Sequence, residues 1–112
     1  MTTNIITFET DDLANARGKG SISTLDFDVD VEAIPMNSDN EKAPTHRLYG
    51  LSPRGHRIEI GGIWRKYATH TGAEYFTLNI RQYNYNANLG RAAHQDDPKV
   101  QAVIQWANNT TP

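Results

Sequence analysis

The stretch from residue 57 to residue 80 constrains the fold most, because its pattern is typical of a β-hairpin. The two arms are predicted at residues 57–67 and at residues 74–79 or 74–80, and Gly72 between them can supply the positive φ that hairpin loops use. The pair Gly61-Gly62 indicates a bulge or sharp bend in the first arm. Apolar residues two or four positions apart should share one face of each arm: Ile58, Ile60 and Trp64 in the first, Phe76, Leu78 and Ile80 in the second.

A second strand is predicted over residues 21–34, where acidic and apolar side chains alternate with a strict period of two. The apolar positions are Leu25, Phe27, Val29, Val31 and Ala33, and the acidic ones are Asp26, Asp28, Asp30 and Glu32. One face should therefore be buried and the other should expose carboxylates. Pro35 ends the strand, because proline cannot donate to a sheet ladder.

Further short strands are predicted near residues 4–8 and 45–51, whereas residues 100–106 fit both a helical stripe and strand alternation. Together these segments predict one mostly β domain over residues 1–112, either a small antiparallel β-barrel or a compact curved sheet, with room for a short helix. Residues 36–44 should be an exposed connector and residues 107–112 a C-terminal tail. The predicted core contains Leu25, Phe27, Val29, Ile60, Trp64, Phe76, Leu78 and Ile104.

Composition excludes several classes of protein. With 112 residues, 38% hydrophobic and 21% charged, the chain suits a single globular domain. The chain has no run of about 18 apolar residues, so no membrane span is predicted. The first residues do not resemble a secretory signal. The chain contains no cysteine, which excludes disulfides and thiol catalysis. We therefore expect a cytoplasmic protein.

The sequence offers little for a catalytic or metal site. The four histidines are scattered, with no pair at a spacing of two or four: His46, His56, His70 and His94. The row from Asp26 to Glu32 resembles a calcium loop only superficially, since Val31 stands where that loop needs glycine. No nucleophile motif or phosphate-binding glycine loop is present. The sequence predicts a non-catalytic protein without metal or cofactor.

Charge is distributed unevenly along the chain. Residues 1–42 contain nine acids and three bases, whereas residues 43–112 contain four acids and eight bases. Either the two parts neutralise each other within one fold, or the surface has an acidic side and a basic side.

The acidic row Asp26, Asp28, Asp30 and Glu32 is the first candidate binding site. Alternate residues of a strand lie about 6.5–7 Å apart, which is near the phosphate repeat of one nucleic-acid strand. Such a row can mimic that backbone and occupy a basic groove of a protein. The alternative is a solvated outer face that discourages edge pairing.

Basic and aromatic residues form the second candidate site: Arg65, Lys66, Tyr67, Tyr75, Arg81, Tyr83, Tyr85 and Arg91. Small β-barrels bind single-stranded nucleic acid with aromatic platforms and cationic grooves. The alternative places the tyrosines in a β core with cations at its rim. A pI near 6.0 also argues against strong nonspecific binding to nucleic acid.

The order of residues resembles a known family, catalogued as domain of unknown function 736, whose members are small proteins common on plasmids and integrative elements. Three blocks are similar: Gly20-x-Ile22-x-Thr24-Leu25 with Val31, Ala33, Ile34 and Pro35; Asn40, Ala43-Pro44, the Arg47 strand, Glu59-Ile60-Gly61, Trp64-Arg65-Lys66, Gly72, Tyr75 and Leu78; and Tyr85-Asn86-Ala87-Asn88-Leu89 with Ile104-Gln105-Trp106. The chain departs from the family at residues 81–84, where an acidic stretch is usual. The resemblance implies a small β fold, a strand rather than a helix at residues 100–106, and a mobile-element context, but no catalytic residue.

Two functions are therefore predicted. In the first, the protein is a mobile-element accessory whose acidic strand binds a host protein complex with a basic surface, its sharpest form being an anti-CRISPR or anti-restriction inhibitor. In the second, the Tyr/Arg surface binds single-stranded nucleic acid. Neither involves a membrane, and the sequence leaves the oligomeric state open.

Overall fold

The computed structural model describes residues 4–36, 42–91 and 97–105, which form a closed antiparallel barrel of eight strands. Each strand pairs with the next along the chain, and the last pairs with the first. The strands are β1 Ile5–Phe8, β2 Gly18–Ser23, β3 Asp28–Pro35, β4 His46–Leu51, β5 Arg57–Tyr67, β6 Glu74–Ile80, β7 Tyr85–Arg91 and β8 Val100–Gln105. The predicted mostly β fold is confirmed, in its barrel form, and the only described helical elements are the short 3-10 turns Leu13–Asn15 and Arg81–Tyr83.

The hairpin at residues 57–80 has the predicted bounds. β5 and β6 pair from Gly61 opposite Ile80 to Tyr67 opposite Glu74, and Gly72 in the connecting loop has a φ of +71°. The local signals in the sequence, alternation of side chains and a glycine in the loop, are therefore sufficient to define this element.

A bulge in β5 changes which of its side chains face the core. Leu48 pairs with Gly61 but Tyr49 pairs with Glu59, so Ile60 is the extra residue. Ile60 and Ile63 are both buried, and the alternation reverses between them. Trp64 consequently lies on the outer face, half-buried, where its ring and Pro44 both lie against Gly62. A bulge or bend was predicted at Gly61-Gly62, directly after the extra residue Ile60. The predicted placement of Trp64 in the core was wrong.

The predicted strand over residues 21–34 is in fact a hairpin. β2 ends at Ser23 and β3 begins at Asp28, and the Thr24 amide donates to the Phe27 carbonyl at 2.7 Å. The Thr24 hydroxyl oxygen accepts from the amides of Asp26 and Phe27 at 3.1 and 3.2 Å, a side-chain contact that competes with strand pairing. Leu25 therefore lies at the tip of the turn and is fully exposed, not buried.

The last segment is a strand, as the family resemblance implies, and not a helix. β8 pairs with both β1 and β7 and closes the barrel. Its inward residue is Val103, so the neighbouring Ile104 faces outward and is 54% exposed. The prediction of a buried Ile104 was wrong by one position. Trp106, His94, most of the connector (37–41) and the tail 107–112 lie outside the described residues.

The interior of the barrel is filled by side chains. The largest fully buried apolar ones are Ile6, Ile22, Leu48, Ile63, Leu78 and Ile80. Ile60, Phe76 and Leu78 are buried as predicted, while Phe27 and Val29 pack against the core from a partly buried position.

One end of the barrel interior contains a buried histidine. The Nε2 atom of His46 donates to the Ala16 carbonyl at 2.8 Å, and its Nδ1 lies 2.8 Å from the Thr45 hydroxyl. The Phe8 ring packs edge-on against the imidazole, with centroids 5.6 Å apart. Burial lowers the pKa of His46, which favours the neutral ring. The Nε2 hydrogen bond joins β4 to the loop that precedes β2.

Candidate binding surface on the acidic strand

The outer face of β3 carries the acidic row predicted from the sequence. Val31 and Ala33 fill the interior, so Asp28, Asp30 and Glu32 point away from it. Asp28 and Asp30 are exposed on the strand, and Asp26 is exposed in the preceding turn. Within the described part of the chain, none of these three aspartates has an ion-pair partner within 4.0 Å.

Glu32 differs from the three aspartates. Its side chain is only 24% exposed, and it forms an ion pair with Arg57 Nη2 at 2.6 Å and a longer one with Lys19 Nζ at 4.0 Å. The prediction of four exposed, unpaired carboxylates is therefore wrong for Glu32. Within the described residues, the row therefore consists of three aspartates without an ion pair, followed by one neutralised glutamate. Asp28, Asp30 and Glu32 share the spacing of β3, whereas Asp26 lies in the turn before it.

A groove of about 380 Å³ lies beside this row, across the outer faces of β2 to β5. One wall is a cross-strand row in which Lys19 pairs with Glu32 and Glu32 with Tyr49. The other wall contains Asp30, Leu51 and Arg57, of which the last two are cross-strand partners. The floor is backbone at Gly20, Val31 and Gly50.

Arg57 crosses this groove from one wall to the other. Its guanidinium carbon lies 5.7 Å from the centre of the Tyr49 ring, and the same guanidinium forms the 2.6 Å pair with Glu32. The groove thus holds a cation between an aromatic face and a carboxylate, which is a favourable arrangement for guanidinium groups. Sequence reasoning missed Lys19, Tyr49, Leu51 and Arg57 as a group, because only the register of four strands brings them together.

The remaining ion pairs explain why the acidic side stays acidic. Glu59 pairs with Arg47 at 2.9 Å and with Arg81 at 3.6 Å, and Glu74 pairs with Arg65 at 3.1 Å. These pairs join residues within the basic second part of the chain. By contrast, the Arg57–Glu32 pair joins the basic second part to the acidic first part. Asp26, Asp28 and Asp30 have no ion pair within the described residues, so they keep a negative field on this side.

The second predicted surface is divided between the two ends of the barrel. Lys66 and Tyr75 are cross-strand partners, close to Tyr67 and Arg65 at one end. Arg81 and Tyr83 lie at the other end of β6, roughly 20 Å away for a strand of this length. The side chain of Arg91 lies outside the described residues. The eight residues therefore do not form one continuous surface.

Several of these side chains already have partners inside the protein. Tyr85 is a core residue, 4% exposed, and burial raises its pKa, so its assignment to an exposed surface was wrong. Tyr83 stacks on Phe27 with ring centres 4.1 Å apart. A hydrogen bond to the Tyr67 side chain raises the pKa of Arg65. The pair Lys66 and Tyr75, with Tyr67 beside them, is the part of this surface that remains exposed.

Within residues 4–36, 42–91 and 97–105, no three His, Asp or Glu side chains are grouped as a metal site. In the same ranges no helix has the length and hydropathy needed to span a membrane.

Comparison with known families identifies the chain. The model of the family described as "Protein of unknown function (DUF736)" matches residues 4–109. No curated protein and no solved structure matches the chain. Since the match covers nearly the whole sequence, the chain belongs to the DUF736 family, as its residue blocks suggested.

Proposed function

We propose that this DUF736 protein is a non-catalytic cytoplasmic binding protein that attaches to a basic surface of a host protein complex through Asp26, Asp28 and Asp30. One observation supports this proposal above the others: the three aspartates are exposed and lack ion-pair partners within the described residues. In a protein whose other outward glutamates on β3 and β5 are neutralised by arginines, such carboxylates are available to a partner.

The position of β3 in the barrel weakens the alternative explanation of the acidic row. Charged side chains often protect the edge of a sheet from pairing with another chain. β3, however, is hydrogen-bonded on one side to β2 and on the other to β4. It has no free edge to protect, and a function in binding accounts for its aspartates better.

The barrel also suits rapid, selective association. A strand that is fixed on both sides holds its backbone in place, so little backbone order has to be gained on binding. A negative patch that faces a positive one accelerates encounter and rejects partners of the same sign. A row of carboxylates at strand spacing fits a protein channel that normally binds a phosphate backbone.

That chemistry leads to a specific biological proposal. We place the protein on plasmids or integrative elements, where it would inhibit a nucleic-acid-targeting defence complex, of the CRISPR or restriction type. Such complexes hold nucleic acid in positively charged channels, and a carboxylate row could occupy part of one.

The experiment is capture from nuclease-treated host lysate, with two charge-reversal variants of equal net charge. Asp28→Lys with Asp30→Lys reverses the acidic row. Glu9→Lys with Asp11→Lys is the matched control, because both residues are exposed and lie outside the strands, at the far end of β1. We expect a defined protein to be retained by wild type and the control and lost by the row variant. Equal retention by all three proteins, or no retention by wild type, would contradict the proposal.

Binding of single-stranded nucleic acid is a second candidate, supported by the exposure of Tyr67 (59%) and Tyr75 (39%) beside Lys66. Aromatic and cationic side chains at one rim can stack bases and contact phosphates. Fluorescence anisotropy with a labelled oligonucleotide should then show binding that weakens steeply with salt and is lost when Lys66 and Tyr75 are both replaced by Ala. No binding at low salt would exclude this candidate.

A further inference from the structure

We propose that the groove across β2 to β5 is the subsite for one cationic side chain, arginine or lysine, of the basic partner, and that Arg57 is its resident occupant, which the partner displaces. This inference rests on the proposed function and names the partner chemistry that the acidic surface recognises.

The first support is that the groove already binds a guanidinium. Arg57 lies 5.7 Å from the Tyr49 ring centre and 2.6 Å from a Glu32 carboxylate oxygen. Proteins use these two kinds of contact, an aromatic ring face and an anionic oxygen, to hold a cationic side chain. A second guanidinium or ammonium would find the same contacts if Arg57 moved aside.

The second support is that Arg57 is free to move. It is the first residue of β5, directly after a turn, and its side chain is 52% exposed. Ion pairs at such exposed positions are weak, because water competes for both charges. Because about half of the side chain is already in contact with water, the guanidinium can swing into solvent when a partner cation arrives.

The third support is the charge that would remain. Asp30, on the wall opposite Glu32, has no ion pair within the described residues. Once Arg57 has moved away, Glu32 would keep, among the described residues, only the distant Lys19. Two carboxylates would face one incoming cation. Leu51, 55% exposed on the same wall, can cover the methylene stem of an arginine or lysine.

The groove favours a cation over an anion for a geometric reason. An incoming phosphate or carboxylate would have to displace Glu32 from between Lys19 and Arg57 and would still face Asp30. An incoming cation would displace only Arg57, an exposed side chain of the same charge. Anion binding is therefore an outcome that the experiment must be able to detect.

The test is an NMR titration of the ¹⁵N-labelled full chain with N-acetyl-arginine amide. N-acetyl-citrulline amide, which has the same shape without the charge, is the control ligand, and inorganic phosphate is the anionic probe. We expect weak binding, with amide shifts at Tyr49, Gly50 and Leu51, from the arginine compound alone. The variant Arg57→Gln removes the competitor and should bind at least about threefold more tightly, whereas Asp30→Asn and Tyr49→Leu should each bind more weakly.

The outcomes separate this inference from the proposed function. If the arginine compound causes no shifts in wild type or in Arg57→Gln, if citrulline binds equally, or if phosphate binds instead, the inference is overturned. Partner loss in the row variant with no arginine binding would remove the groove inference alone. Arginine binding with unchanged partner capture would remove the proposed function alone. Unchanged amide shifts at Ile6 and His46 would show that each variant is folded.

Discussion

His46 and Arg57 lie on opposite faces of the same barrel wall and have the same kinds of partner. Each packs against an aromatic ring and contacts an oxygen: Phe8 and the Ala16 carbonyl for His46, Tyr49 and the Glu32 carboxylate for Arg57. His46 is fully buried, whereas about half of the Arg57 side chain is exposed. Burial, more than the set of partners, therefore decides whether a polar contact stabilises the fold or remains exchangeable.

The largest effect should come from His46→Ala. It leaves the Ala16 carbonyl without its donor and opens a cavity beside Phe8, and we expect it to lower the free energy of unfolding by about 2–4 kcal/mol. His46→Gln, whose amide can still donate to that carbonyl, should lose less. Chemical denaturation measures both variants, and equal stability of wild type and His46→Ala would remove the distinction between the two sites.

Acid should reduce the contribution of His46 to the free energy of unfolding. Because burial lowers the pKa of His46 below its ordinary value near 6.5, the unfolded chain binds the proton more readily than the folded one. The stabilising contribution is therefore complete above pH 6.5 and declines as the pH falls below it. Denaturation at several pH values should show this decline, and an NMR titration should find the His46 ring protonated at lower pH than in the denatured chain. A His46 ring that titrates at or above pH 6.5 would contradict the account.

Arg57→Gln should have a much smaller effect on stability. It removes one exposed ion pair and one cation–π contact, which together are worth about 1 kcal/mol or less at a surface. The thermal midpoint should fall by no more than about 4–8 °C. A loss as large as that of His46→Ala would mean that Arg57 is structural and that the groove is not available to another cation.

The part of the structure that follows from local sequence is the hairpin of β5 and β6, because alternation and Gly72 act within a few residues. The errors share a different origin. Trp64 changes face because Ile60 is an extra residue relative to β4, which is a property of pairing and not of β5 alone. Likewise, period-two alternation continues through Leu25 and Asp26, so the turn at Thr24 is hidden from a periodicity argument.

The binding surface also combines features that follow from local sequence with features that depend on strand pairing. The exposure of Asp28 and Asp30 follows from alternation within one strand. The neutralisation of Glu32 does not, because Arg57 lies 25 positions later in the sequence and reaches Glu32 only across β4. The groove depends on the register of β2 to β5, and no motif of the sequence encodes it.

The smallest effect on stability should come from reversing Asp28 and Asp30, since exposed substitutions each change it by within about 0.5 kcal/mol. This variant should retain the melting transition of Glu9→Lys with Asp11→Lys. Its effect on binding should be large, because like charges that face each other across an interface cost several kcal/mol.

The most direct test of the central claim is therefore calorimetric titration of the captured partner with these two variants. We expect Glu9→Lys with Asp11→Lys to bind within about twofold of wild type. We expect Asp28→Lys with Asp30→Lys, equally stable and equally charged, to bind at least about a hundredfold more weakly, which corresponds to about 2.8 kcal/mol. Equal affinity of the two variants would contradict the proposed function, and the aspartates of β3 would then be no more than a solvated face.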